Sequence, residues 1–418
     1  MRAALWLLVL FGIAVAVALF AGNNQGSVTL FWPPYRIDLS LNLVLLLLVA
    51  AFFVVYTAIR ALSALFDLPR QALRWRTQQK ERAMHASLLD AISHLLAGRY
   101  IRARKSAEAV LEQETSLTAS GHRPANAAQL RAIAHVLAAE SAQALQDRAA
   151  REEHLQRALE QASARDAQET RDGAILRAAR WALEDREPEG AMKLLQGLPQ
   201  GAARRTLALR TRLRASRQAG QPLEALETAR LLAKHHAFSE VAARSILRGL
   251  AIDLLNGAYD VAQLQRAWSG LEPGEQLMPE VAIHAAQRLM ALRGDARLAR
   301  DWLLPVWEAQ GELGDNLRVK LVGALEEGLD SIDAGWLARI EAAQKTHPRD
   351  ATLQYLAGMA CMKRQLWGKA QQLLTQAALG LQDGALHRNA WRALAALAEQ
   401  REDASAAALA WKKAAGDA

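Results

Sequence analysis

Two uncharged apolar runs within the first sixty positions set the strongest constraint on this chain. The first, Ala3 to Ala21, is 19 residues long. At about 1.5 Å rise per residue, a helix of that length crosses a hydrocarbon core of roughly 30 Å. The second, Leu41 to Ile59, is broken only by Asn42, Tyr56 and Thr57. Between them lies a short loop, Gly22 to Ser40, with Arg36 and Asp38 as its charges. Pro33-Pro34 forbids a helix there, and Trp32 and Tyr35 are side chains of the type that favours the headgroup region. Ala16-Val17-Ala18 has the form of a signal-peptide cleavage site. The apolar run continues past it through Leu19 and Phe20, and a single basic residue leads it, which favours an uncleaved span.

The flanks predict an orientation. Arg2 precedes the first run, and Arg60, Arg70, Arg74, Arg76, Lys80 and Arg82 follow the second. The positive-inside rule puts both outer ends in the cytoplasm and the loop in the periplasm. The segment from Arg70 to Arg82 reads as a basic helix next to the membrane, where anionic headgroups attract each basic residue by roughly 1 kcal/mol. The plainer reading, that these charges only set topology, is compatible with it.

Beyond residue 70 the chain is dominated by Ala, Leu, Arg, Glu and Gln, all good helix formers. Runs of Val, Ile and Thr of the kind strands need are almost absent there. Cys361 is the only cysteine, which excludes an intrachain disulfide, a Cys-rich zinc site and an iron–sulfur cluster. The 51 basic residues exceed the 43 acidic ones, but the two signs are interspersed without an aromatic-interleaved basic patch, which argues against nucleic acid.

Apolar and Ala positions recur at helical spacing, cut by short Gly, Pro or Asp breaks, as in stacked helix pairs. The spacing fits the tetratricopeptide (TPR) repeat of about 34 residues. In the clearest unit, from Ala351, Gly358 takes the small position of the first helix, and Ala370, Leu374 and Ala377 the small, bulky and small positions of the second. The next unit, from Arg388, places Trp391, Leu394, Ala395, Ala407, Trp411 and Ala414 in the same pattern. Weaker matches include Gly98, Tyr100 and Ala103; Ala139, Ala142 and Ala158; Ala179, Ala182, Ala191 and Leu195; and Leu209, Leu213, Gly220, Ala225 and Leu232. From Ile246 to Asp333 paired helices lack a clean register, although Leu289, Gly294, Ala299 and Leu303 look repeat-like.

Together these features resemble the HemY family, TPR-containing inner-membrane proteins linked to late haem biosynthesis in proteobacteria. The likeness is carried by the apolar hairpin and basic helix, by Gly98-Arg99-Tyr100 with Ala103-Arg104, and by Leu231 to His236. Its most diagnostic stretch is His347-Pro348 to Ala370, with Leu366-Trp367-Gly368-Lys369-Ala370. A flavin-dependent protoporphyrinogen oxidase has carried the same name. It would need a Gly-rich dinucleotide turn after a strand, and the sequence has no G-x-G-x-x-G.

No H-E-x-x-H, P-loop, G-x-S-x-G or paired-Cys motif is present, so no catalytic residue is assigned and no metal site is expected. Arg210, Arg214 and Arg217, at i, i+4 and i+7, share one helix face. In the repeat register Arg210 and Arg214 line the concave groove, where guanidinium groups could clamp the carboxylates of an acidic peptide or the propionates of a porphyrin. An ordinary solvated charged face is the plainer alternative. Tyr355, Met359, Asn389 and Arg392 occupy equivalent groove positions. His235, His236 and Cys361 are candidate haem ligands. Neighbouring histidines on a helix diverge by about 100° and do not converge on one metal, and a free cysteine is more often a buried small hydrophobe. Trp367 reads as a packing wedge in the turn of its repeat.

The sequence therefore predicts an all-α protein, an N-terminal two-helix transmembrane hairpin followed by a TPR-like α-solenoid. The expected parts are a hairpin over 1–60 (spans about 3–21 and 41–59, periplasmic loop 22–40) and a basic juxtamembrane helix over 61–83. Helical repeats follow over 84–240, degenerate repeats over 241–346 and C-terminal TPR units over 347–418. The charge flanks and the missing catalytic motifs predict a non-catalytic scaffold with both termini cytoplasmic, and the resemblance implies a role in a late step of haem biosynthesis at the inner membrane. The scaffold would then bind late haem enzymes, such as ferrochelatase or protoporphyrinogen oxidase, or their porphyrin intermediates. The alternatives are a haem or porphyrin carrier and an interaction protein unrelated to haem. No cofactor is expected beyond haem or porphyrin as a ligand.

Overall fold

The computed structural model describes residues 11–18, 22, 26–122, 124, 126–161 and 167–416. Residues 11–18 are helical; the remainder of the first expected span, 3–10 and 19–21, lies outside the described residues. The chain divides into two compact units, Met1–Asp166 and Ala167–Ala418.

The first unit opens with a feature that the loop reading missed. Strands β1 (Ser27–Trp32) and β2 (Tyr35–Ser40) form an antiparallel hairpin, in register from Ser27↔Ser40 to Trp32↔Tyr35. Its turn is Pro33-Pro34, where the missing N–H groups cost no ladder bond. The flanks carry Val28, Thr29, Phe31, Trp32, Tyr35 and Ile37, residues that suit a pleated surface. Ser40 then caps α1 (Leu41–Leu96), accepting a hydrogen bond from the Leu43 backbone N–H at 3.3 Å.

Helix α1 is 56 residues long and unbroken. Its portion Leu41–Ser63, 23 residues with mean hydropathy 2.5, is long and apolar enough to cross a membrane, by length and composition. The basic segment is therefore a continuation of the same rod. Arg76, Lys80 and Arg82 are exposed, and Lys80 donates to the Ser116 hydroxyl at 3.1 Å; the side chains of Arg70 and Arg74 lie outside the described ones.

The C-terminal part of α1 packs on α2 (Tyr100–Ala119), α2 on α3 (Ala127–Ala144), and α3 on α4 (Arg148–Gln161). Met84, Val110, Leu117, Leu130 and Ala134 fill one contact, and Ala91, Ala107 and Ala138 form a second. The alanines let the helix backbones approach closely.

The second unit continues the pattern. Its helices are α5 (Gln168–Glu184), α6 (Pro188–Gln196), α7 (Gln200–Ala203), α8 (Thr206–Gln218), α9 (Pro222–Lys234), α10 (Glu240–Asn256), α11 (Val261–Ser269) and α12 (Pro273–Gln276). Then come α13 (Pro279–Ala291), α14 (Ala296–Glu308), α15 (Asp315–Glu326), α16 (Ala334–Thr346), α17 (Ala351–Lys363), α18 (Trp367–Gly380), α19 (Gly384–Gln400) and α20 (Ala404–Ala415). Pairs such as α8–α9, α17–α18 and α19–α20 pack internally and against their neighbours, around one continuous core from Leu209 to Ala410.

One turn device joins the helix pairs in both units. Three residues separate the helices, and the middle one is left-handed: Gly98, Gln146, Arg186, Gly220, Gln365 and Glu402. The following N–H closes on a carbonyl of the preceding helix, as in Arg99 to His94, Gln221 to Ser216 and Leu366 to Cys361. Glycine fits this conformation without strain, yet four of the six positions hold a side chain.

The two C-terminal matches have a steric basis. A Cβ added at Gly358 would lie 2.7 Å from Leu374 Cγ, so only glycine lets α17 and α18 close to this separation. Ala370, Leu374 and Ala377 are buried as the pattern requires. Trp411 differs: it is 43% exposed and its indole N–H donates to Glu399 at 2.7 Å. It stands on α20.

Between the recognisable repeats, aromatic stacking and arginine contacts tie the helices together. Trp268 stacks on Trp302 with ring centroids 4.7 Å apart. Arg230 meets the buried Glu275 with Nε–Oε1 and Nη2–Oε2 at 2.9 and 2.6 Å. The buried Arg300 donates to the carbonyls of Gly328 and Ser331 at 2.6 and 2.9 Å.

Candidate functional site

Helix α8 turns Ala208, Leu209, Leu213, Ala215 and Ser216 inward, which leaves Arg210, Arg214 and Arg217 on the exposed face. The three guanidinium groups, with Leu213 and Gln218, border one surface depression of about 390 Å³. Arg210 is held in place: its Nη2 donates to the Ala237 carbonyl at 2.9 Å, and its guanidinium sits 5.9 Å from the Phe238 ring centroid. Arg214 and Arg217 meet no carboxylate among the described residues. On the other side of the same helix, Arg212 is neutralised by Glu224 at 2.6 Å. Guanidinium groups in such a row have the fork geometry that matches carboxylates and other planar anions.

Of the C-terminal groove positions, Arg392 is exposed, Met359 and Asn389 are half-buried, and Tyr355 is fully buried. Tyr355 is thus an interior tie and not part of an open groove wall: its hydroxyl donates to Glu326 Oε1 at 2.6 Å. Asn389 also bonds this carboxylate, so α15, α17 and α19 are joined at one point. Burial raises the Glu326 carboxyl above its usual range, against the hydrogen bond from Tyr355. Burial likewise raises the Tyr355 phenol, with the Glu326 charge adding to it. Glu326 carried no signal in the sequence, because it ends a helix from the stretch without a register. Tyr355→Phe should leave the carboxylate short of a donor and cost about 1–3 kcal/mol. Urea unfolding followed by circular dichroism would read this, and an unchanged midpoint would remove the tie.

The candidate haem ligands do not converge. His235 and His236 are exposed at the C-terminal turn of α9, where His236 adopts φ +52°. Cys361 is fully buried, its Sγ 4.0 Å from a Glu341 carboxylate that is ion-paired with Lys369 at 2.7 Å. Burial raises its thiol pKa, so the thiolate is disfavoured. Among the described residues no group of three His, Cys, Asp or Glu side chains could hold a metal ion. Trp367 packs half-buried against the core, as a wedge would.

A different histidine pair is buried in the first unit. His135 of α3 and His154 of α4 place their Nδ1 atoms 3.1 Å apart, with ring centroids at 5.4 Å. This separation suits an N–H···N hydrogen bond with one ring donating, and is short of the about 4 Å that a metal held linearly between them would need, from two bonds of roughly 2.0 Å. They lie 19 residues apart on neighbouring helices, so nothing local in the sequence marked them.

The fold and these sites define a helical repeat protein that carries an apolar helix long enough to anchor it. Residues 26–146 match the family model described as the HemY protein N-terminus. No curated protein matches the chain. Solved structures with some similarity include the APC/C hetero-tetramer Cut9–Hcn1 (15% identity, TM-score 0.29, 79% of this chain and 66% of that one). Others are the TPR domain of P58(IPK) (12%, 0.23, 76% and 99%) and Naa15/Naa10 bound to HypK-THB (12%, 0.22, 78% and 68%). The chain thus spans just under two thirds of the first of these. At such TM-scores they add nothing to the fold read from helix packing.

Proposed function

We propose that this chain is a non-catalytic scaffold of the bacterial inner membrane. Two spans, about 3–21 and 41–59, hold the repeat units on the cytoplasmic side, with the hairpin β1–β2 in the periplasm. The apolar Leu41–Ser63 helix and the charge bias of its flanks support this topology. Confinement to the bilayer raises the effective concentration of the repeats near membrane-bound partners. The match to the HemY N-terminus supports a role in a late step of haem biosynthesis, with ferrochelatase or protoporphyrinogen oxidase as the partner.

The observation that carries a binding role is the Arg210–Arg214–Arg217 depression, with two guanidinium groups lacking counter-ions. Crosslinking in native membranes, with mass spectrometry of the trapped neighbours, tests the scaffold. Late haem enzymes should be enriched with the wild type and depleted about tenfold with R214A/R217A, the loss of two charge-assisted contacts. No haem-pathway protein enriched would overturn the reading. The same arginines could instead hold the propionates of a porphyrin directly. In that case haem titrated into the protein should shift its Soret band, and R214A/R217A should abolish the shift.

A further inference from the structure

We propose that the cleft between the α1–α2 and α3–α4 turns docks an acidic amphipathic segment of a partner protein. The proposal rests on the reading of the chain as a tethered scaffold, but on a separate surface. The cleft, about 510 Å³, is lined by Gly98 and Arg99 of the first turn, by Tyr100, Ile101 and Arg102 at the start of α2, and by Leu145 of the second turn. Its composition is unusual for a solvated turn. Ile101 is 73% exposed, Tyr100 and Leu145 are exposed as well, and Leu96 at the end of α1 is 83% exposed. Scattered apolar residues on a surface need no explanation, but a cluster around a concavity marks an interaction site.

The charge around the cleft selects the occupant. Arg99 and Arg102 meet no carboxylate among the described residues. Arg104, two positions on, has both nearby acids, bonding Glu108 and Asp147 at 2.9 Å each. The two free guanidinium groups therefore flank an apolar floor with no internal counter-charge left to them. A segment with Leu- or Phe-type anchors and Glu or Asp on its flanks supplies both needs.

Geometry excludes the chain's own bilayer as the occupant. From Ser63, where the apolar segment of α1 ends, to Leu96 the helix rises roughly 50 Å along its axis. Even with the usual tilt of about 20°, the turn stands well beyond the headgroups.

The test uses the full-length protein in phosphatidylcholine nanodiscs. The probe is a fluorescein-labelled helical peptide with Leu at i, i+3, i+4 and i+7 and Glu on both flanks. Fluorescence anisotropy should show saturable binding that weakens with salt. R99E/R102E and Ile101→Ser should each weaken it about tenfold or more, and a Lys-flanked peptide should bind R99E/R102E better than the wild type. Equal binding of a Gln-flanked peptide, or indifference to R99E/R102E, would overturn the proposal. So would displacement of the peptide by phosphatidylglycerol vesicles bound through Arg99 and Arg102. R214A/R217A is measured alongside: its binding should match the wild type. If the crosslinking test fails while the peptide still depends on Arg99 and Arg102, the scaffold reading in haem synthesis falls and the cleft stands.

Discussion

Replacing Arg230 by methionine should lower the stability of the C-terminal unit by about 3–5 kcal/mol, because it strands a buried carboxylate. Glu275 is 2% exposed. Its Oε2 also accepts the Glu272 backbone N–H at 2.9 Å, which fixes it as the N3 residue of a capping box on α12. Arg230 reaches it from α9 and donates as well to the Gly270 carbonyl at 3.1 Å. Without the guanidinium, the carboxylate must either protonate or draw in water. For a unit of this size the loss corresponds to a melting temperature lower by about 10 °C, measurable by calorimetry of the detergent-solubilised protein. R230M/E275Q should recover much of the loss, since the amide needs no counter-ion. A double variant as unstable as R230M would show that packing of the Arg230 stem, and not its charge, is what matters.

The second large effect is acid lability of the first unit. Burial, then the charges of His154, Arg157 and Arg131, pushes His135 down to about 4. His154 is lowered too, chiefly by burial, against the opposing pull of Glu108 and Glu153 and with Arg104 and Arg157 acting alongside burial. A histidine whose folded pKa lies below its unfolded value of about 6.5 favours folding in its neutral form. Its contribution is complete above pH 6.5 and is lost as pH falls towards 4. For His135 the shift corresponds to something on the order of 3 kcal/mol. Denaturant midpoints at pH 7 and pH 4.5, compared between wild type and His135→Gln, isolate it: the variant should show the shallower pH slope. Equal slopes would place the acid sensitivity elsewhere.

The α-helical class was legible because Ala, Leu, Arg, Glu and Gln leave few alternatives once Val, Ile and Thr runs are missing. The last repeats were legible for a steric reason: Gly358 and Leu374 touch, so their identities are tied to their spacing. The left-handed turn position was no guide to the repeats, since it holds Gln365 and Glu402 in the clearest ones and Gly98 and Gly220 in fainter ones. The hairpin β1–β2 was hidden by its brevity and by the prolines at its turn. Among the candidate site residues, the arginine row kept its shared face, since helical periodicity alone fixes it. Tyr355 did not keep an exposed position, because its exposure depended on where Glu326 and Asn389 came to lie.

What the sequence determined by itself was periodicity and hydropathy: helices, an apolar segment able to cross a bilayer, and a row of arginines on one side of α8. These are local properties, set within a few turns of one chain segment. Only the tertiary structure decided which charges are neutralised: Arg212 and Arg104 found carboxylates, while Arg214, Arg217, Arg99 and Arg102 did not. Arg104–Glu108 is a local i,i+4 pair, but Arg104–Asp147 and Arg212–Glu224 join different helices, and no local pattern encodes such contacts.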